Sequence, residues 1–342
     1  MIDQRSCAEF SNGVPVKAME CFAERSLTAA VNSLSAKHTV ALTGTPLENS
    51  AQDLWSIMNR LNPGFLGSLE DFQSRYIQQN GGLSALSRRL APLIIRRNKQ
   101  LVAPELPPKT EEIITVELPD EQRAFYDAQL AVGQAALKEH GTGSLLGTLT
   151  RLREACCHPQ LVTKRETPLG SAKLDMLLEK LSDLQASGHS SLVFSQFTSM
   201  LDLIAPQLDA RQIPDRVITG ETPVEKRAQL VQEFDADENP SVFLLSLKAA
   251  GTGLTLTKAD YVFLFDPWWN PAVERQAIDR THRIGQDKPV FAYKFVAKDT
   301  VEEKVQTIIE RKKELFDEVM DGATENAAPT RLTLDDLRSL IE

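Results

Sequence analysis

Asp260-Tyr-Val-Phe-Leu-Phe-Asp-Pro-Trp-Trp-Asn-Pro-Ala-Val-Glu-Arg-Gln-Ala-Ile-Asp-Arg-Thr-His-Arg283 decides how this chain folds. The apolar run 260–265 has the length of a buried strand, the Pro- and Asn-bearing turn at 266–270 interrupts it, and 271–283 predicts a helix. Pro271 suits a first helical turn, and Gly285 suits a stop. At 100° per residue, Gln276, Arg280 and Arg283 would share a narrow arc of that helix. Two guanidiniums and an amide on one rigid element can bind the crowded oxygens of a nucleotide phosphate. A solvated helix with Glu274 and Asp279 pairing the arginines is the plainer alternative.

The same strand–loop–helix pattern recurs on both sides. Strands are expected at 191–195, 215–219, 241–246, 260–265 and 289–297, and helices at 172–187, 198–208, 223–234, 271–283 and 300–318. Short apolar strands alternating with amphipathic helices predict an α/β fold, a parallel sheet covered on both faces. Ligands of such sheets sit beyond the carboxyl ends of the strands. The loops that start there are Ser195-Gln196-Phe197, Lys248-Ala-Ala-Gly251-Thr252-Gly253 and Asp266-Pro-Trp-Trp-Asn270. They are expected to gather at one edge with the arginine helix.

Upstream, His38-Thr-Val-Ala-Leu42 reads as a short buried strand feeding the turn Thr43-Gly44-Thr45-Pro46. A helix over 49–61 would bury Leu54, Trp55, Ile57, Met58 and Leu61, and Asn62-Pro-Gly64 would end it. Between 83 and 109, Arg88, Arg89, Arg96, Arg97, Lys99 and Lys109 face only Glu105, a phosphate-tracking patch or a charged helix flank. Pro104, Pro107 and Pro108 mark a connector, Ile113 to Glu117 alternate like a strand, and Asp120 is expected to cap the helix after Pro119. Most of 120–160 reads as helical. Cys156, Cys157 and His158 are adjacent there, so their side chains diverge by 100° steps and a shared metal ion is not expected. After a linker at 321–330, Thr333 and Asp336 form a possible capping box for a terminal helix, which should dock on the second domain.

Composition agrees with two globular domains: 342 residues, 42% hydrophobic and 25% charged. The net charge of −9 argues against coating nucleic acid by bulk attraction, though not against a local basic groove. Four cysteines without CxxC spacing suggest a reducing compartment, and no apolar run approaches a membrane span.

These motifs together resemble the Swi/Snf-type branch of superfamily-two helicase-like ATPases, over about residues 26 to 342. Leu42-Thr-Gly-Thr-Pro-Leu-Glu-Asn49 is similar to the family's third motif and Leu192-Val-Phe-Ser-Gln-Phe197 to its fourth. Leu245 to Leu254, with Asp266-Pro-Trp-Trp-Asn-Pro271, resembles the fifth, and Gln276 to Gln286 the sixth. Ile95-Arg-Arg, Glu105-Leu-Pro-Pro-Lys-Thr110, Leu152-Arg-Glu-Ala-Cys-Cys-His-Pro159 and Leu332-Thr-Leu-Asp-Asp-Leu-Arg338 are also family-like, the last of a bacterial kind.

The resemblance implies a RecA-like pair of lobes with ATP and Mg²⁺ between them, and translocation along double-stranded DNA without reading its sequence. Arg280 and Arg283 would be arginine fingers, and Gln276 and Gly253 would meet the nucleotide. Gln196, Lys248, Gly251 and Thr252 would touch the DNA backbone, and Thr43, Gly44, Thr45 and Pro46 would couple the two sites. One departure stands out: the chain contains no Gly-Lys dipeptide, hence no P-loop, and no carboxylate pair lies where the Mg²⁺-binding motif belongs.

The expected architecture is therefore a truncated first RecA-like lobe with its basic connector (26–118), a helical insertion (119–170), a complete second RecA-like lobe (171–320), and a linker with a terminal helix (321–342). Residues 1–25 are unassigned. Truncation, a misassigned reading frame and a complementary chain carrying the first lobe all remain open. The expected activity is DNA-dependent ATP hydrolysis, absent from this chain alone, in a cytoplasmic, bacterial-like protein. The alternatives are a non-hydrolysing DNA-binding or regulatory module and an inactive gene fragment.

Overall fold

The computed structural model describes residues 38–42, 51–79, 81–95, 103–250, 254–320 and 334–341. It divides into two compact units, Met1–Arg96 with Arg311–Arg331, and Arg97–Glu310 with Leu332–Glu342.

The described part of the first unit is helical. It contains α1 (Ala51–Leu61), α2 (Leu69–Phe72) running into a π turn (Gln73–Ile77), and α3 (Gly82–Leu90). Leu54 and Met58, one turn apart on α1, pack with Leu66, Phe72, Tyr76, Leu86 and Leu90. Ser68 and Asp71 form a reciprocal capping box at the start of α2. Asn62 ends α1 and Gly64 turns with φ +78°. The strand expected at His38–Leu42 is not there: these residues have no regular structure, and Val40 and Leu42 are 61% and 41% exposed. A strand needs a ladder partner, and none pairs with 38–42 among the described residues.

The second unit is built on a six-stranded, all-parallel sheet. Its strands are β1 (Lys109–Val116), β2 (Ser191–Ser195), β3 (Asp215–Ile218), β4 (Val242–Ser246), β5 (Tyr261–Leu264) and β6 (Val290–Ala297), in the order β1-β6-β5-β2-β4-β3. The central strands β2 and β4 are buried at every position, which is why they read as unbroken apolar runs. Helices α7 (Ala172–Ala186) and α8 (Thr198–Ala210) cover one face, where Leu177, Leu181, Met200 and Ile204 meet Val193, Leu244, Phe263 and Phe295. Helices α9 (Val224–Ala236) and α11 (Pro271–Ile278) cover the other, with Phe234, Ala277 and Ile278 against Leu192, Phe194, Phe243 and Val262. The short α10 (Leu247–Ala250) follows β4 directly, Ser246 Oγ accepting from Ala249 N.

A third core joins α4 (Asp120–His140) and α5 (Leu145–Cys157) to α12 (Val301–Met320) and to the residues after α13 (Leu334–Ser339). Tyr126 Oη accepts from Val301 N, and Gln134 Nε2 donates to Ile341 O. Leu340 and Ile341 are buried there, so the terminal helix docks within this unit as expected, while Thr333 lies outside the described residues. Asp120 is the first helical residue of α4 and not its cap; Pro119 precedes the helix, and Asp120 with Glu121 complements the helix dipole. Cys156 and Cys157 are buried in α5, where burial pushes both thiols up. His158 caps α6 (Pro159–Thr163), its Nδ1 accepting from Gln160 N.

Candidate functional site

The described candidate residues fall at two ends of the sheet. At the carboxyl ends of β2 and β5, the loops 195–197 and 266–270 meet as expected. Asp266, 1% exposed, accepts from Ser195 Oγ and from Gln196 N. Burial pushes its carboxyl up, while the nearby Arg153 guanidinium and the Ser195 hydroxyl pull the other way.

Arg153 projects from α5 into this junction and is 4% exposed. Its Nη1 donates to Gln196 Oε1 at 2.8 Å, its Nη2 donates to Pro267 O, and Nη2 lies 3.8 Å from Asp266 Oδ2. The guanidinium also sits 4.8, 5.5 and 5.8 Å from the ring centroids of Trp269, Trp268 and Phe197. Gln196 is half-buried with its amide oxygen engaged by Arg153, and its Nε2 is buried without a hydrogen-bond partner among the described residues.

Helix α11 starts at this edge, where Glu274 Oε1 accepts from Trp268 N and Glu274 Oε2 pairs with Lys294 Nζ. Glu274 thus has a lysine partner from β6 rather than an arginine. The helix ends at Ile278, five residues short of the expected 283, so Arg280 and Arg283 lie in the turns that follow it. Leu256 N takes the Arg280 carbonyl at 3.0 Å, a carbonyl that a longer helix would need for Ile284. Because α11 returns antiparallel to the strands, these turns lie at the amino-terminal edge of the sheet. His282 Nε2 contacts Pro107 O just before β1, and Gln286 Nε2 donates to Thr257 O, Ala259 O and Thr281 O at 3.0, 2.9 and 3.3 Å, just before β5. The expected clustering is corrected accordingly for two of the three loops: α11 starts at the edge where 195–197 and 266–270 meet, and the arginine-bearing turns lie at the opposite edge, beside Thr255 and Leu256.

Arg283 is half-exposed, with Nε donating to Asp279 O at 2.9 Å and Nη1 to Thr255 Oγ1 at 3.1 Å. Arg280 is 5% exposed and lies deeper in the turn. Gln276 is half-buried on α11, and Lys248 is on α10. Gly251, Thr252 and Gly253, together with Thr43, Gly44, Thr45 and Pro46, lie outside the described residues, as do Arg96, Arg97 and Lys99 of the basic stretch. Of the remainder of that stretch, Arg89 donates to Phe65 O and stacks on its ring, and Lys109 pairs with Glu111. No three His, Cys, Asp or Glu side chains gather as metal ligands among the described residues. No helix among the described residues is long and apolar enough to cross a membrane.

Arg153 and Gln286 were not singled out from the sequence. Arg153 had a signal: Leu149, Leu152 and Cys156 form a buried helical stripe, and Arg153 falls on it.

An all-parallel six-stranded sheet with helices on both faces is the fold of a RecA-like lobe of a helicase-type ATPase. The description "SNF2-related domain" matches residues 19–161, and "Helicase conserved C-terminal domain" matches 172–285. The putative ATP-dependent helicase/translocase YwqA of Bacillus subtilis is 37% identical over 311 residues, covering 86% of this chain and 34% of that protein. An uncharacterized ATP-dependent helicase of Mycoplasma genitalium is 35% identical over 84% of this chain and 28% of its own length. The chain thus spans about a third or less of these curated relatives. The solved Sulfolobus solfataricus SWI2/SNF2 ATPase core in complex with dsDNA is 30% identical with a TM-score of 0.57, covering 96% of this chain and 73% of that one. The chain belongs to the SNF2 family of ATP-dependent, helicase-type proteins.

Proposed function

We propose that this chain is the carboxyl-terminal part of an ATP-dependent translocase on double-stranded DNA, delivering positive charge to a nucleotide gripped by other residues. The observation that carries this is the turn after α11. Gln286 ties it to three carbonyls, and Arg283 is held on it by Asp279 and Thr255 with its guanidinium half-exposed. A pre-positioned guanidinium stabilises charge spreading over transferring phosphoryl oxygens without reorganising at the moment of reaction. Arg280 and Arg283 are the two fingers in this reading, and Gln276 and Gly253 meet the nucleotide. In the same reading Gln196, Lys248, Gly251 and Thr252 track DNA phosphates and read no bases, with Thr43 to Pro46 coupling DNA contact to the nucleotide. The relative solved with dsDNA supports duplex DNA as the partner.

The chain contains no Gly-Lys phosphate cradle, so ATP must be held by a P-loop-bearing half, including one on a separate chain. DNA-stimulated ATP hydrolysis is expected to be absent from this chain alone and to appear when it is mixed with a separately made P-loop half. Appreciable turnover by the chain alone overturns this assignment. In the reconstituted enzyme, Arg280→Ala should lower kcat by about 10³-fold, as loss of an arginine finger does, with duplex affinity largely unchanged. Equal loss of both would make Arg280 structural.

The missing cradle favours one second reading, a non-hydrolysing DNA-binding module. Steeply salt-dependent duplex binding with no ATPase under any mixing condition would select it.

A further inference from the structure

The proposed DNA-tracking loop and the proposed arginine fingers sit at opposite edges of one sheet, and something must connect them. Helix α11 is the right length: eight residues span about 12 Å, close to the roughly 13 Å of a four-residue strand. Its far end carries the turn with Arg280 and Arg283. Its near end is held by Glu274, which accepts from Trp268 N in the loop that Arg153 clamps.

We propose that Arg153 is a positioning residue that makes the Gln196 loop and the Trp268–Trp269 loop move as one body, so that DNA contact at Gln196 is transmitted into α11. This deepens the proposed function and rests on its reading of Gln196. The guanidinium is suited to the task. Its fork engages Gln196 Oε1 and Pro267 O on different loops at once, while its plane lies near three aromatic rings. A lysine ammonium carries the same charge but cannot reproduce the fork or the planar stack. The bond to Arg153 also fixes the orientation of the Gln196 amide, because a flipped amide would place donor against donor. Gln196 Nε2 is then left as a buried donor with no partner among the described residues. An unmet buried donor is costly, so this loop gains by moving to offer that N–H to a phosphate oxygen. The Arg153 fork carries any such movement into the tryptophan loop.

Trp268 and Trp269 report on it directly. The chain has three tryptophans, and Trp55→Phe leaves only this pair. In that background, a fluorescein-labelled DNA duplex is titrated with two readouts, anisotropy for binding and tryptophan emission for the loop. The parent should bind and change its emission. Arg153→Lys should bind within about threefold of the parent, since surface phosphate contacts dominate affinity, yet lose about half or more of the emission change at saturating duplex, since the stacked fork is gone. An Arg153→Lys protein that binds and keeps the full response overturns the inference, as does a parent that binds without any response; both leave the DNA reading standing. A parent that does not bind duplex removes the DNA reading and this inference with it. Should Arg153→Lys fail to fold, Gln196→Leu breaks the same bond from its more exposed end. It must likewise lose the response at saturation, and its retention sinks the idea.

Discussion

Two side chains show how single residues set local behaviour. Gln286 spends its amide donors on Thr257 O and Ala259 O, and on Thr281 O, which Arg283 N also serves, holding the arginine turn to the approach to β5. Gln286→Ala strands buried acceptors and is expected to cost about 2 kcal/mol, read as a lower urea midpoint at unchanged m-value. Asp215, the first residue of β3, is half-buried near Asp209, and its carboxyl is pushed up from 3.8 to about 6, by burial first and then by that neighbouring charge. The folded state therefore binds a proton more tightly than the unfolded one, so stability is greatest below about pH 4 for this group and falls as pH rises through about 6. Asp215→Asn should remove that slope and, after discounting for solvent screening, add about 1 kcal/mol at pH 7. Denaturation midpoints of both proteins across pH 4 to 8 check this; parallel curves would mean that Asp215 is not the titrating group.

At the scale of elements, α4 and α5 approach where Gly133 faces Thr148. A Cβ on Gly133 would come 2.2 Å from Thr148 Cγ2. Gly133→Ala should therefore destabilise by about 1–3 kcal/mol in spite of alanine's better helix propensity. Thr148→Ser deletes that methyl and should restore most of the loss in the double variant; additive losses would show that the contact is not the cause. The elements of the sheet were legible from sequence because buried parallel strands read as apolar runs, and the strands at 191–195, 215–218, 242–246, 261–264 and 290–297 fall where the pattern put them. The end of α11 was not legible. The backbone tightens there, Arg280 N donating to Ala277 O and Thr281 N to Ile278 O, and Leu256 N, distant in sequence, takes the Arg280 carbonyl, a contact that no local propensity encodes. His38–Leu42 misled for the converse reason, since a short apolar run signals a strand only where partners exist to complete the ladder. At the site, residue types and spacing pointed to arginines and a glutamine, but which edge they occupy depends on the antiparallel return of α11.

For the molecule as a whole, the second unit is tied through its centre by Lys173 and Glu302, both fully buried and 2.5 Å apart. Lys173 Nζ also donates to Phe265 O and Phe295 O, and Glu302 accepts from Ala297 N, so the pair joins α7 to α12. Burial is the largest single influence on Lys173 and would lower its pKa, but Glu302 together with the neighbouring Cys157 and Cys156 outweighs it and the net shift is upward. Its stabilising contribution is therefore present below the unfolded lysine value and is lost as pH rises through the folded one, an alkaline effect. Lys173→Met should cost about 3–5 kcal/mol by leaving a carboxylate stranded, whereas Lys173→Met with Glu302→Leu should recover much of it; calorimetry of the single and double variants decides, and no recovery would point to the carbonyl contacts instead. The strand order has a different consequence. Among the described residues β1 pairs only with β6, Lys109 opposite Val290, so that ladder joins segments roughly 180 residues apart. At a synthesis rate of about 5–20 residues per second, β1 leaves the ribosome roughly 10–40 s before its partner exists, and through that interval Glu111 and Glu112 are the charges that discourage a stray nascent chain from docking there.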